Sequence, residues 1–360
     1  MAPQINFLYN DHEIFIAAPE SVHNNDYISH FKNNYNAIIY KNSPRGKTSF
    51  FSRFFSIFIK YIILFKYHKL NKFDVIIFNT ITKDFHFFLI KLFLNKVKKI
   101  HIMHNSQRFL NKKRLKILNL FFNNLLISYD AYNRFKNDID NLIIPLPMIN
   151  WFYPLLPFSI IEDKKCFNIT FNNSLINIII PGSINEERRN YSSLFKALEV
   201  YKFKNDLKFK IYLLGKISFD MLEKIKILGL ENIIIYFTEF ISGLDMLNCL
   251  KNTDALAFLL DSKIGKNFIN YNKYKVSGTT NLCLSFGTPC IVSDEYLLED
   301  ALREKALIYP NDKIGFIFEQ IENGSLTKET FLKLRSLPLN TQCSYNYQKE
   351  HYLNALGIQQ

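Results

Sequence analysis

The chain has 360 residues, 48% hydrophobic and 21% charged, with a formal net charge of +13. That length points to two domains, and the apolar fraction excludes a disordered chain. The excess of Lys and Arg favours phosphate-bearing substrates or an anionic membrane surface. The basic residues are scattered, with small clusters at Lys96–Lys99 and Asn111–Lys116, so no nucleic acid is expected as partner.

In chain order, "EIFIAAP" (13–19) reads as a strand, "YISHFKNNY" (27–35) as a helix and "AIIYKN" (37–42) as a strand. The segment 50–70 is strongly apolar, yet Arg53, Lys60 and Lys66 interrupt it before it reaches the ~20 residues a spanning helix needs. It suits either a helix lying at a membrane interface or a half-buried helix whose cations reach water. Strands follow at 73–80, 99–105, 124–130 and 141–147, separated by helices near 84–95, 110–121 and 131–138. Residues 151–175, irregular and holding prolines, read as a connection between domains 1–150 and 176–340.

The second half restarts the alternation. Strands are expected at 176–181, 209–214, 232–237, 255–260, 289–293 and 306–309, and helices at 189–202, 218–228, 243–251, 277–286, 296–303 and 313–322. Residues 341–360 hold a last helix, which can return to the N-terminal domain. Strands alternating with helices signal parallel sheets. The expected fold class is α/β, two doubly wound Rossmann-like domains facing across a cleft, with ligands beyond the carboxyl ends of the strands.

The five cysteines, Cys166, Cys249, Cys283, Cys290 and Cys343, form no C-x-x-C spacing, which suits a reducing compartment. The N-terminus shows no basic region followed by an apolar stretch, so no signal peptide is read and a cytoplasmic location is expected.

Two stretches offer cations and backbone amides to an anion. In "PGSINEERRN" a buried strand ends at Gly182, which permits close backbone approach, and Arg188 and Arg189 precede a helix. Arginines there supply forked donors for phosphate, or pair locally with Glu186 and Glu187. In "KVSGTTNLCLSFGTPCIV" the residues Ser277, Gly278, Thr279 and Thr280 stand at a helix start with Lys275 beside them. Such a start caps the helix and can receive a diphosphate. It is no Walker loop, and no magnesium carboxylate accompanies it.

Together these stretches resemble the donor-binding half of GT-B nucleotide-sugar glycosyltransferases, and the Gly287-Thr288-Pro289 ending is similar to the G-x-P-x-I ending of their donor helix. The resemblance implies a nucleoside diphosphate sugar as donor, with Gly182, Arg188, Arg189, Lys275 and Ser277–Thr280 around its diphosphate. It also implies that Thr238, Glu239 and Phe240 approach the nucleobase. No carboxylate stands near Leu282, where many retaining members carry a ribose-binding glutamate; Asn281 lies beside that place. No metal or other cofactor is expected.

The N-terminal half is then the acceptor side. His23 and Asp26, after the first strand, and His104, after a later one, are candidate bases for an acceptor hydroxyl, with Asn105 and Arg108 as acceptor contacts. The implied function is sugar transfer to a glycan, lipid-linked at the inner face of a membrane, in surface-polysaccharide synthesis. The alternatives are a sugar-nucleotide epimerase of the same build and a non-catalytic protein binding nucleotides, RNA or anionic lipid.

Overall fold

The computed structural model describes residues 2–8, 11–24, 28, 31–40, 50–79, 81, 84–111, 114–116, 122–140, 149–156, 171–239 and 241–358. The chain divides into two compact units. One comprises Met1–Pro154 with Gln348–Gln360, the other Leu155–Tyr347.

In the first unit β1 (Phe15–Pro19) and β2 (Asn36–Tyr40) pair in parallel as a sheet of their own. A second parallel sheet orders β3 (Val75–Asn79), β4 (Lys98–Met103), β5 (Asn123–Leu126) and β6 (Ile149–Trp151). The strand β6 falls in the stretch where no strand was expected; Trp151 is buried in it, and Pro154 follows, unable to donate to a ladder. Of the helix expected over 27–35, the described residues show Ile28 in helical conformation and a single turn at Lys32–Asn34. The strand expected at 141–147 lies outside the described residues.

A long helix, Phe50–Asn71, turns Tyr61 inward, where its hydroxyl meets His86 Nδ1 at 2.9 Å. Its Phe55, Ile59 and Ile62, spaced to share one face, remain exposed. Among the described residues no helix is long and apolar enough to cross a membrane. The C-terminal helix Tyr345–Leu356 buries Tyr352 against Phe7 and Phe152, and Gln348 accepts the Tyr153 N–H at 2.7 Å.

The second unit holds β7 (Ile176–Pro181), β8 (Phe209–Lys216), β9 (Ile234–Phe237), β10 (Ala255–Ala257), β11 (Cys290–Ser293) and β12 (Ala306–Tyr309). All are parallel, in the order β12-β11-β10-β7-β8-β9. Every residue of β7 is buried, as a central parallel strand covered on both faces requires. Ile178, Ile180, Ile211 and Leu213 pack against Leu194, Leu198, Ile225 and Phe318 from the helices. The expected helix at 296–303 is instead a tight turn at Asp300–Lys305, and a helix at Lys328–Ser336 had no counterpart among the expectations.

Candidate functional site

The sheet of the second unit reverses its winding between β7 and β10. Loops leaving those two strands diverge in opposite directions, and open α/β sheets bind ligands in the crevice this creates.

The turn after β7 depends on two glycines. Gly182 adopts φ +95°, and its N–H donates to the Leu214 carbonyl at 2.9 Å. Gly215 on β8 makes room for it, since a Cβ there would stand 1.9 Å from the Gly182 carbonyl oxygen. Arg189 then folds back over the turn. Its Nη1 donates to the Ser183 carbonyl at 3.3 Å and its Nη2 to Thr279 Oγ1 at 3.4 Å. The Nε is buried with no partner among the described residues.

Thr279 belongs to the second anion-binding candidate. Ser277 caps the helix Gly278–Phe286, its Oγ accepting the Thr279 N–H at 3.3 Å. Among the described residues a Cβ on Gly278 would meet nothing within 4 Å, so the space beside it is open. Thr280 is fully buried and its hydroxyl has no partner among the described residues; the same holds for Asn281 Oδ1. A capped helix start with an open approach and a guanidinium alongside is chemically an anion site.

The structure thus brings Gly182, Arg189, Ser277, Gly278 and Thr279 together. Arg188 does not join them: its side chain is exposed, and among the described residues only its N–H is engaged, by Asn185. The Lys275 ammonium lies 5.7 Å from the Tyr271 ring centroid. Thr238 and Glu239 are exposed beyond β9, the edge strand, and Phe240 lies outside the described residues.

Three residues that the sequence did not single out complete this region. The Asn190 N–H donates to the Leu259 carbonyl at 2.9 Å. Its Nδ2 donates to both carboxylate oxygens of Asp261, at 2.9 and 2.8 Å. Its Oδ1 accepts the Ser193 N–H at 3.0 Å, capping the helix Tyr191–Leu198. Asp261 is buried, and burial raises its pKa, opposed by the bonds from Asn190 and the Lys263 N–H. Burial pushes the neighbouring Tyr191 hydroxyl up to about 12, with the Arg189 charge pulling the other way. Among the described residues no cluster of three or more His, Cys, Asp or Glu side chains is placed to hold a metal ion.

In the first unit His104 and Asn79 meet at the carboxyl ends of β4 and β3, with Nε2 and Oδ1 2.7 Å apart. Although the residue is exposed, the protein packed around its ring lowers the His104 pKa. Asn105 caps the turn Ser106–Phe109 through Gln107 N–H. Arg108 lies in that turn, its side chain outside the described set. His23 is buried; its Nδ1 contacts the Tyr35 hydroxyl at 3.1 Å and its ring stacks on that tyrosine. Asp26 is outside the described residues.

By sequence the chain matches no protein-family profile and no curated protein. By fold it is similar to Anabaena Alr3699/HepE in complex with UDP, with TM-score 0.64 and 9% identity over 99% of this chain and 96% of that one. It is similar as well to a UDP-N-acetylglucosamine 2-epimerase, with TM-score 0.60 and 11% identity over 100% and 93%. A third likeness is to the lipopolysaccharide outer core galactosyltransferase WaaB in its apo form, with TM-score 0.50 and 15% identity over 90% and 84%. At such identities the likeness is one of fold. The chain has the GT-B fold, two α/β domains built on parallel sheets.

Proposed function

We propose that this GT-B chain is a glycosyltransferase that moves a sugar from a nucleoside diphosphate donor to a glycan acceptor, lipid-linked at the inner face of a membrane, in surface-polysaccharide synthesis. The observation that supports the donor half is the Arg189 bridge. One guanidinium reaches both the turn at Gly182–Ser183 and the capped, open helix start at Ser277–Thr279. As the bond from the anomeric carbon to the diphosphate oxygen breaks, negative charge grows on the leaving group. Arg189 and the helix amides stand ready to neutralise it, and preorganised donors of this kind are usually the largest catalytic contribution.

Exposed Arg188 and nearby Lys275 add positive charge that draws the donor in. Thr280 and Asn281 offer unpaired oxygen acceptors near the same helix start; Asn281 is assigned to the ribose, and Thr238, Glu239 and Phe240 to the base. On the acceptor side, exposed His104 is favoured over buried His23 as the group that takes the acceptor proton, with Asn105 and Arg108 as acceptor contacts. With Nε2–H donated to Asn79, the His104 Nδ1 keeps a lone pair for that proton. The exposed face of Phe55, Ile59 and Ile62, on a chain of net charge +13, fits an anionic lipid surface.

The likeness to the 2-epimerase supports a second reading, in which the donor alone is the substrate. Incubation with UDP-sugars separates the two. Transfer releases UDP on addition of a glycan acceptor, whereas epimerisation yields a new sugar nucleotide without any acceptor. Neither product, together with binding of RNA or anionic vesicles, would leave the non-catalytic reading.

A further inference from the structure

We propose that Asn190 and Asp261 form a latch that sets Arg189 against the anion site, so that diphosphate affinity depends on a buried pair placed beyond the ligand's reach. The inference rests on the donor-site reading above. Asn190 directly follows Arg189 and is itself buried. Each of its polar groups is engaged: the N–H by Leu259, Nδ2 by Asp261, and Oδ1 by the Ser193 N–H. One residue therefore ties the arginine loop to the end of β10 and to the helix it leads into.

The anchor on the β10 side is itself constrained. Leu259 is buried and sits at φ +51°, a region that costs a side-chain-bearing residue energy and persists where its surroundings enforce it. Its carbonyl accepts the Asn190 N–H. From the opposite side Asn267 Nδ2 donates to the Glu187 carbonyl at 2.6 Å, and Glu186 Oε1 accepts the Ser192 N–H at 2.7 Å. The segment 186–190 is thus held at both ends, which fixes where the Arg189 guanidinium can point. A guanidinium that must span Ser183 and Thr279 loses most of its value for a diphosphate if its backbone drifts by an ångström.

The chemistry of the pair permits a swap. Asn190→Asp alone sets two carboxylates face to face, and like charges buried together repel. Adding Asp261→Asn restores an amide donor opposite a carboxylate, while position 190 still accepts the Ser193 N–H, since Asp caps helices as well as Asn. UDP and uridine are titrated calorimetrically into the full chain, the two single variants and the double variant, with thermal unfolding in parallel. We expect Asn190→Asp to weaken UDP about ten-fold with uridine unchanged. Asp261→Asn, isosteric and able to keep the Lys263 N–H bond, should weaken it less, and the double variant should recover most of the loss.

Unchanged UDP affinity in both single variants would overturn the latch, as would parallel loss of UDP and uridine, the mark of a purely structural role. If Asn190→Asp does not fold, Asp261→Asn and the double variant decide alone. UDP gives way in these titrations to whichever of GDP, CDP, ADP or TDP the unaltered chain binds in its place; should it bind none of the five, the donor-site reading falls first and the latch falls with it.

Discussion

Arg188 and Arg189 are adjacent and chemically identical, yet their surroundings separate them. Arg189 is half-buried and bonded at Ser183 and Thr279; Arg188 is exposed, and no hydrogen bond or ion pair of its side chain is seen among the described residues. Loss of a hydrogen-bonded charge contact costs about 1.5–3 kcal/mol, so Arg189→Ala should weaken a nucleoside diphosphate roughly ten- to a hundred-fold. Arg188→Ala should change it by less than about three-fold; titration calorimetry on both variants checks the order. Gly215 gives a prediction of another kind. A methyl group 1.9 Å from the Gly182 oxygen has to displace backbone, so Gly215→Ala should cost at least about 2 kcal/mol of stability, measured by denaturant unfolding. In sequence, Gly182 stands in a Pro-Gly turn ahead of two arginines, whereas Gly215, just past the strand expected at 209–214, carries no local sign that it faces Gly182. Asn190 and Asp261 were equally hidden, because their pairing spans 71 positions and no local pattern encodes it.

At the scale of elements, local chemistry explains both the hits and the misses. The helix Gly278–Phe286 was legible because Ser277 caps it and Gly287, at φ +61°, ends it. The helix Lys328–Ser336 uses a capping box closed by Thr330 instead of the usual Glu or Gln, and so lacks the familiar signature. It is further held by Lys305, a buried residue whose ammonium donates to the Leu334 and Arg335 carbonyls at 2.9 and 2.8 Å. Lys305→Met should leave those carbonyls unsatisfied and cost about 1–3 kcal/mol, seen as a lower thermal midpoint with UDP affinity retained.

A pH dependence follows from β4. His101 is fully buried, its Nε2 accepts the Ile81 N–H at 3.2 Å, and burial holds its pKa near about 4. The unfolded chain takes up a proton near pH 6.5 while the folded chain does not. Stability is therefore complete above about pH 6.5 and falls as pH drops toward 4, by roughly 1.4 kcal/mol per unit and about 3 kcal/mol in all. Unfolding curves between pH 7.5 and 4 should show this slope, and His101→Gln should flatten it.

For the whole molecule, the alternation of apolar runs and helical periods made the parallel sheets readable. It did not show that β1 and β2 pair apart from β3–β6, since sheet membership is decided by long-range contacts. Nor did composition reveal which side of the helix Phe50–Asn71 faces water. Phe55, Ile59 and Ile62 do, and serine at all three should reduce binding to anionic vesicles at least about ten-fold, with no change for neutral vesicles, where binding is already weak. A triple variant that binds as before would remove the membrane assignment while leaving the donor site untouched.

The central claim is that Arg189 and the helix start at Ser277 hold a nucleoside diphosphate. The most direct measurement is calorimetric titration of the intact chain with UDP, GDP, CDP, ADP, TDP and CMP, repeated on Arg189→Ala. The account predicts that one diphosphate binds selectively and that the variant loses most of that affinity. Binding of none of them, or equal binding by both proteins, would contradict it.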